Sequence, residues 1–245
     1  MFIHCELVIL ILAMTLDGQV HAIYGGHEAV PHSRPYMVLL ECHTEHGHKG
    51  HCGGFLLNED FVMTAASCQA KSYTALLGVH DVHRNNEIQR ISVKGIFPHE
   101  YYDTTDYQND IMLLKLSSKA QFKEHVRPIR LAGGDDGSLP KSCKVSGWGT
   151  SYRNNYHMSP VLMEANVTLT ENEQCAKENF YCSEGKTGPG DGDGGVPLVC
   201  EDGKAYGVMS SSGKSNLDGA DIDRYTRIPD YRKWINLIMG HCGKL

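Results

Sequence analysis

Short runs rich in β-branched and aromatic residues recur along the chain, at Tyr36–Leu40, Phe55–Leu57, Ile111–Leu116, Val161–Leu169 and Tyr206–Met209, and Gly, Asn, Asp and Pro separate them. A strand must bury one face and then reverse within a few residues, so this rhythm predicts an all-β barrel or sandwich. The spacing of apolar positions turns helical only in the tail, Asp230–Met239, with Pro229 just before it. Proline's fixed φ suits a first helical turn, so a C-terminal helix is expected over roughly 230–240. Ser117–Arg127 carries few strand signals and divides the pattern into two halves.

One apolar run is not part of that rhythm. Leu7–Leu16 is almost entirely apolar and is followed by Asp17, Gly18, Gln19 and then Val20-His21-Ala22. Ten residues are too few to cross a bilayer, and small residues at the end of such a run mark a secretory cut, so residues 1–22 are expected to be a signal peptide. Its usual basic start is replaced by a single His4. No later stretch resembles a membrane span, and the expected location is extracellular or a secretory granule. Length and composition, 245 residues at 41% hydrophobic, allow a sizeable core.

Composition narrows the chemistry. With 23 basic and 29 acidic residues the chain is mildly acidic, and it lacks the basic surface that nucleic acid demands. Of nine cysteines, Cys5 lies in the leader and eight remain, an even number in an oxidising compartment, so disulfides are expected. Eight cysteines allow about 105 pairings. Zinc through cysteine is disfavoured because no Cys-x-x-Cys pair occurs.

From Ile23 onward the chain resembles the trypsin-like serine proteases, most closely their granzyme and mast-cell-protease branch. Six segments in the family's order carry the resemblance: Ile23-Tyr24-Gly25-Gly26 with its continuation to Met37; Cys52-Gly53-Gly54-Phe55; Thr64-Ala65-Ala66-Ser67-Cys68; Asn109-Asp110-Ile111-Met112-Leu113-Leu114; Gly147-Trp148-Gly149; and Gly192-Asp193-Gly194-Gly195-Val196-Pro197-Leu198-Val199-Cys200. The resemblance implies two packed six-stranded antiparallel β-barrels in a protease domain over 23–245. The first barrel would occupy roughly 36–120 and the second roughly 130–228. It further implies the disulfides Cys52–Cys68, Cys143–Cys200 and Cys175–Cys182. Only six residues lie within the last pair, fewer than is usual for the family. Cys42 and Cys242 are left over, either to pair with each other or to stay free.

The family's reaction needs a serine to attack a carbonyl, an imidazole to carry the proton and a carboxylate to orient the imidazole. Asp110 retains the acid, but Ser67 stands where the resemblance places the histidine, and a serine hydroxyl has no useful basicity at neutral pH. Gly194 stands at the nucleophile position; a shift of one residue puts Asp193 or Gly195 there, and neither is a serine. Loss of either residue in such a unit costs about a million-fold in turnover, about 8 kcal/mol, and loss of both adds little. Asp110 is then expected to rely on Ser67, Ser210 or water. Asp193 matches the acid that receives the α-amino group of Ile23, and Val20 and Ala22 would let signal peptidase expose Ile23 directly. The N–H groups of Gly192 and Gly194 would form the remnant of an oxyanion hole. The resemblance places Gly188, Ser210, Ser211 and Asp223 around the family's specificity pocket.

Two further features stand outside the family pattern. His43, His46, His48 and His51 crowd one loop, and zinc or copper binding there is the weaker reading beside a solvated loop, because loop spacing alone fixes no tetrahedron. Asn166-Val167-Thr168 is the chain's sole N-glycosylation acceptor, within a predicted strand. The expected function is a secreted, hydrolytically silent protease homologue that binds a protein or peptide, a protease inhibitor among the candidates, with no cofactor. The alternatives are an active endopeptidase, which requires other residues at 67 and 194, and a metal-binding protein.

Overall fold

The computed structural model describes residues 23–44, 47–84, 88–134, 140–150, 157–214 and 221–242; the expected signal peptide and His46 lie outside them. The first barrel contains β2 (Met37–His43), β3 (Lys49–Leu56), β4 (Phe61–Thr64), β5 (Ser72–Leu77), β6 (Gln89–Pro98) and β7 (Met112–Leu116), preceded in the chain by the two-residue β1 (His27–Glu28). These six close in the order β2-β3-β4-β7-β6-β5. The second barrel contains β8 (Ser142–Gly147), β9 (Met163–Thr170), β10 (Phe180–Glu184), β11 (Pro197–Cys200), β12 (Ala205–Lys214) and β13 (Asp221–Arg227). Its order is β9-β10-β13-β12-β11-β8, closed by β8 against β9, with β1 added at the edge of β9. The fold is therefore two closed, six-stranded antiparallel barrels, as the resemblance implied, and closure leaves few open strand edges.

Burial alternates along strands in the way a half-solvated sheet requires. In β9, Ala165, Val167 and Leu169 are buried while Asn166 and Thr168 are exposed. The strands flanking the cleft are buried throughout instead: every residue of β4 and of β7 is buried, and their apolar side chains share a core with Ala205, Val208, Ile228, Tyr231 and Ile235 from later in the chain. Glycines allow this close approach at a few points. A Cβ on Gly53 would stand 2.2 Å from Val196 Cγ1, so the two barrels meet there only because position 53 has no side chain.

Helical structure is short. Helix α1 (Glu173–Lys177) is capped by the Asn172 side chain, which accepts from the backbone N–H of Gln174 and Cys175. Helix α2 (Arg232–Cys242) follows a 3-10 turn at Ile228–Tyr231, so the proline at 229 begins the turn and the helix proper starts two residues later than the apolar spacing suggested. Ile235 is fully buried on it, while Leu237 is exposed. Among the described residues no helix is long and apolar enough to cross a membrane.

Among the described residues three disulfides form, Cys52–Cys68, Cys143–Cys200 and Cys175–Cys182. The short loop of the last pair closes because α1 and the left-handed Asn179 (φ 64°) fold the chain back, bringing the Cα atoms to 6.2 Å. Cys42 is a free thiol, which excludes the bridge to Cys242: its side chain is buried within the first barrel opposite Tyr73. Burial pushes that thiol up to about 11, partly offset by a hydrogen bond from the Cys52 backbone, so it behaves as an inert small apolar group.

Candidate active-site cleft

The cleft is built where the two barrels meet, from the segment after β4, the segment before β7, and the turn between β10 and β11. Ser67 sits on a single 3-10 turn, Ala66–Cys68, held by the Cys52–Cys68 bridge. Asn109 precedes Asp110 in a left-handed conformation (φ 58°), which asparagine tolerates, and Tyr231 Oη donates to Asn109 Oδ1 at 3.0 Å. That arrangement directs the Asp110 carboxyl into the interior, where it is fully inaccessible.

A buried carboxylate needs donors, and Asp110 has them without an imidazole. Oδ1 accepts from the Ser67 backbone N–H at 2.6 Å. Oδ2 accepts from Ser67 Oγ at 2.9 Å and from Ser210 Oγ at 2.7 Å. Thr226 Oγ1 ties down the Asp110 carbonyl at 2.9 Å. Burial raises the Asp110 carboxyl above its ordinary value, while the Ser210 and Ser67 hydrogen bonds pull it back. Ser67 itself is exposed to solvent.

No histidine among the described residues is hydrogen-bonded to Ser67, Asp110, Ser210 or Gly194. His99 is instead boxed by Tyr231 at 5.2 Å and Trp234 at 5.1 Å between ring centres, and burial lowers its pKa. His51 is an exposed residue of β3.

Opposite Ser67, the turn Gly192–Gly195 uses glycine for specific reasons. Gly192 and Gly195 both have positive φ, 93° and 85°, and a Cβ at 195 would meet Thr64 Oγ1 at 2.1 Å and the Gly53 carbonyl at 2.4 Å. Asp193 turns inward and is completely buried. Gly194 differs from both: φ is ordinary and the nearest atom to an added methyl would be Cys68 Sγ at 3.4 Å. Of the three positions weighed for a nucleophile, only 194 has room for a new side chain. It contacts the Ser67 side through the Gly53 N–H, which donates to the Gly194 carbonyl at 2.8 Å. The N–H groups of Gly192 and Gly194 have no hydrogen-bond acceptor among the described residues.

Asp193 accepts from the Gly149 N–H at 2.7 Å and the Gly190 N–H at 2.9 Å. Those two donors do not offset its burial, and its carboxyl is pushed up to about 7. Ile23 is also fully buried, and its neighbour Tyr24 exchanges both backbone hydrogen bonds with Gly188. In the uncut chain Ile23 has a peptide nitrogen, so the expected ammonium–carboxylate pair is not formed in this state.

The four residues assigned to the specificity pocket separate into two groups. Gly188 and Asp223 lie together, with Asp223 Oδ2 only 2.3 Å from where a Cβ of residue 188 would stand. Ser210 instead faces Asp110, and Ser211 pairs with Arg224 beyond a β-bulge. The partner that sequence reasoning missed is Ser212, whose hydroxyl donates to Asp223 Oδ1 at 2.6 Å. The bulge between Met209 and Ser211 sets which serines share a face, and that slip carries no plain mark in the sequence. At the histidine loop, His43 ends β2 across from Lys49, and His51 lies across from Glu41. Among the described residues no group of three His, Cys, Asp or Glu side chains is arranged to hold a metal.

Comparison with known proteins agrees with this architecture. The trypsin family model matches residues 23–235, and the chain belongs to the trypsin family of serine proteases and their homologues. Within it the chain is granzyme-like. It is 37% identical to mouse granzyme E over 94% of its own length and 96% of that protein's. It is 36% identical to human granzyme H (95% and 97% covered) and 38% identical to bovine duodenase-1 (95% and 95%). The solved structure described as "Structure of GrC" superposes with a TM-score of 0.79 at 34% identity, covering 89% of this chain and 99% of that one.

Proposed function

We propose that this chain is a secreted, non-hydrolytic member of the trypsin family that holds a peptide or protein segment in a protease cleft without cutting it. One observation carries the reading: Asp110 is saturated by the Ser67 and Ser210 hydroxyls, while position 194 offers room for a nucleophile and supplies none. A scissile carbonyl entering the cleft finds N–H donors at Gly192 and Gly194 but no alkoxide source and no imidazole to carry a proton. Binding groups survive the loss of chemistry. The Asp223 carboxylate beside Gly188 favours a ligand with a Lys or Arg side chain, and free N–H groups favour its carbonyl. An exposed inhibitor loop bearing such a residue has the matching chemistry, and the granule or extracellular setting of the granzyme-like branch supports that encounter.

The test is restoration. The Ser67→His, Gly194→Ser double variant, with and without Val196→Gly, is assayed on peptides ending in Lys or Arg beside the parent chain. Turnover by a restored variant at least a thousand-fold above the parent supports the reading. Peptide turnover by the parent chain above the uncatalysed rate and comparable to that of the restored variant contradicts it.

A further inference from the structure

The acceptor motif Asn166-Val167-Thr168 plays no part in the cleft, and its setting in the fold defines a modification site. Period-two alternation in β9 turns Val167 into the second barrel, where it is 3% exposed, and leaves both Asn166 and Thr168 on the outer surface. On one side Asn166 pairs with Lys144 of β8. On the other side β9 has β1 opposite Met163 and Glu164, and β10 opposite Leu169 and Thr170, so the segment between them faces no strand. There Thr187 Oγ1 donates to the Asn166 carbonyl at 3.3 Å. The Asn166 carboxamide itself makes no hydrogen bond among the described residues, so substituting its nitrogen removes no native contact.

Beside it lies a hollow of about 310 Å³ lined by Asn166 and Lys144 together with Arg34, Tyr36, Ser142 and Val199. At ≈ 30 Å³ per water this is roughly ten waters of space, enough for a sugar ring. The lining suits one: Tyr36 and Val199 offer apolar surface to ring C–H groups, the Ser142 hydroxyl and the Lys144 N–H groups not used in its Glu164 pair offer donors, and Glu201 offers an acceptor, while Arg34 is held by Glu164 and the Ser33 carbonyl.

We propose that Asn166 carries an N-linked oligosaccharide whose first N-acetylglucosamine seats over this hollow. The donor is a lipid-linked oligosaccharyl diphosphate. Asn166 Nδ2 bonds to C1 of the first sugar, the C1–oxygen bond to the diphosphate breaks, the lipid diphosphate departs, and the amide gives up one proton. Attachment precedes folding, so a motif within a strand is accessible when modified, and the folded barrel then leaves the glycan outside.

The proposal rests on entry to the secretory pathway, and the experiment separates the two. The full chain is synthesised with microsomes, treated with protease, and analysed before and after peptide:N-glycosidase digestion. The expected result is a protease-protected chain with one discrete mobility shift that the glycosidase removes. Asn166→Gln and Thr168→Ala abolish the shift, and Thr168→Ser keeps it. A protected chain with no shift overturns the glycan, whereas an unprotected chain overturns the secretory reading and the glycan with it. For the seating, protein trimmed to a single N-acetylglucosamine is melted beside Asn166→Gln; a Tm higher by about 2 °C or more for the sugar-bearing form is expected. Equal Tm values overturn the seating.

Discussion

Removal of everything before Ile23 is expected to change the electrostatics of a buried acid by an amount large enough to measure. In the uncut chain Asp193 is completely buried, has two backbone donors and no cation, and its carboxyl is pushed from 3.8 to about 7. An acid that holds its proton more tightly when folded destabilises the fold as pH rises between its unfolded and folded values. Between about pH 4 and pH 7 that loss amounts to about 4 kcal/mol, at 1.36 kcal/mol per pH unit. On the pairing that the family resemblance implies, cleavage before Ile23 would supply an ammonium for the carboxylate, and it would also free a β-branched residue from φ 64°, a conformation that costs about 1–3 kcal/mol. The assay is urea unfolding from pH 4.5 to 7.5 on protein that begins at Ile23, with a free amine or with that amine acetylated. Stability of the acetylated form is expected to fall across this range while that of the free-amine form holds or rises, leaving the two about 3–4 kcal/mol apart at neutral pH. Profiles within about 0.5 kcal/mol of each other at pH 7.5 would refute the reasoning.

Other expectations follow from the same geometry. Ser210→Ala removes a buried donor to an ionised group and is expected to cost about 2 kcal/mol in urea unfolding, whereas Ser67→Ala, exposed and replaceable by water, costs less than about 1 kcal/mol. Gly195→Ala drives a methyl into Thr64 and the Gly53 carbonyl at a positive φ and is expected to cost about 3 kcal/mol or more, while Gly194→Ala stays within about 1 kcal/mol. Similar Tm values for the two alanine variants contradict the assignment of room to position 194. Asp223→Asn is expected to weaken binding of a Lys- or Arg-bearing peptide about tenfold or more by calorimetry, without the same loss for a neutral analogue.

Much of the fold was legible because spaced motifs and strand rhythm pointed the same way. Cys52, Ser67, Asp110 and Gly194 converge on one cleft because their flanking motifs fix the turn after β4, the approach to β7 and the turn before β11. Some strands escaped the apolar pattern because they are short, as β4 and β11 are at four residues each, and others because their outer faces are polar. In β13, Asp221, Asp223 and Arg224 interrupt the buried Ile222, Tyr225 and Thr226, and a charged strand looks like a loop until its barrel partners are known. The direction of Ser210 toward Asp110, and of Ser212 toward Asp223, depends on a bulge that one sequence does not announce. The free thiol at Cys42 follows from its inward position in β2, which cysteine counting cannot reveal. Room at Gly194, where an added Cβ would stand 3.4 Å from Cys68 Sγ, against its absence at Gly195, where it would stand 2.1 Å from Thr64 Oγ1, depends on packing between distant segments that spacing does not reveal.

The most direct measurement is peptide-mapped mass spectrometry of the secreted chain after exposure to a serine-directed fluorophosphonate, with an active granzyme labelled in parallel. The account predicts no adduct on Ser67, Ser210 or any other cleft serine under conditions that label the active enzyme to completion. Stoichiometric modification of one of those serines would contradict it.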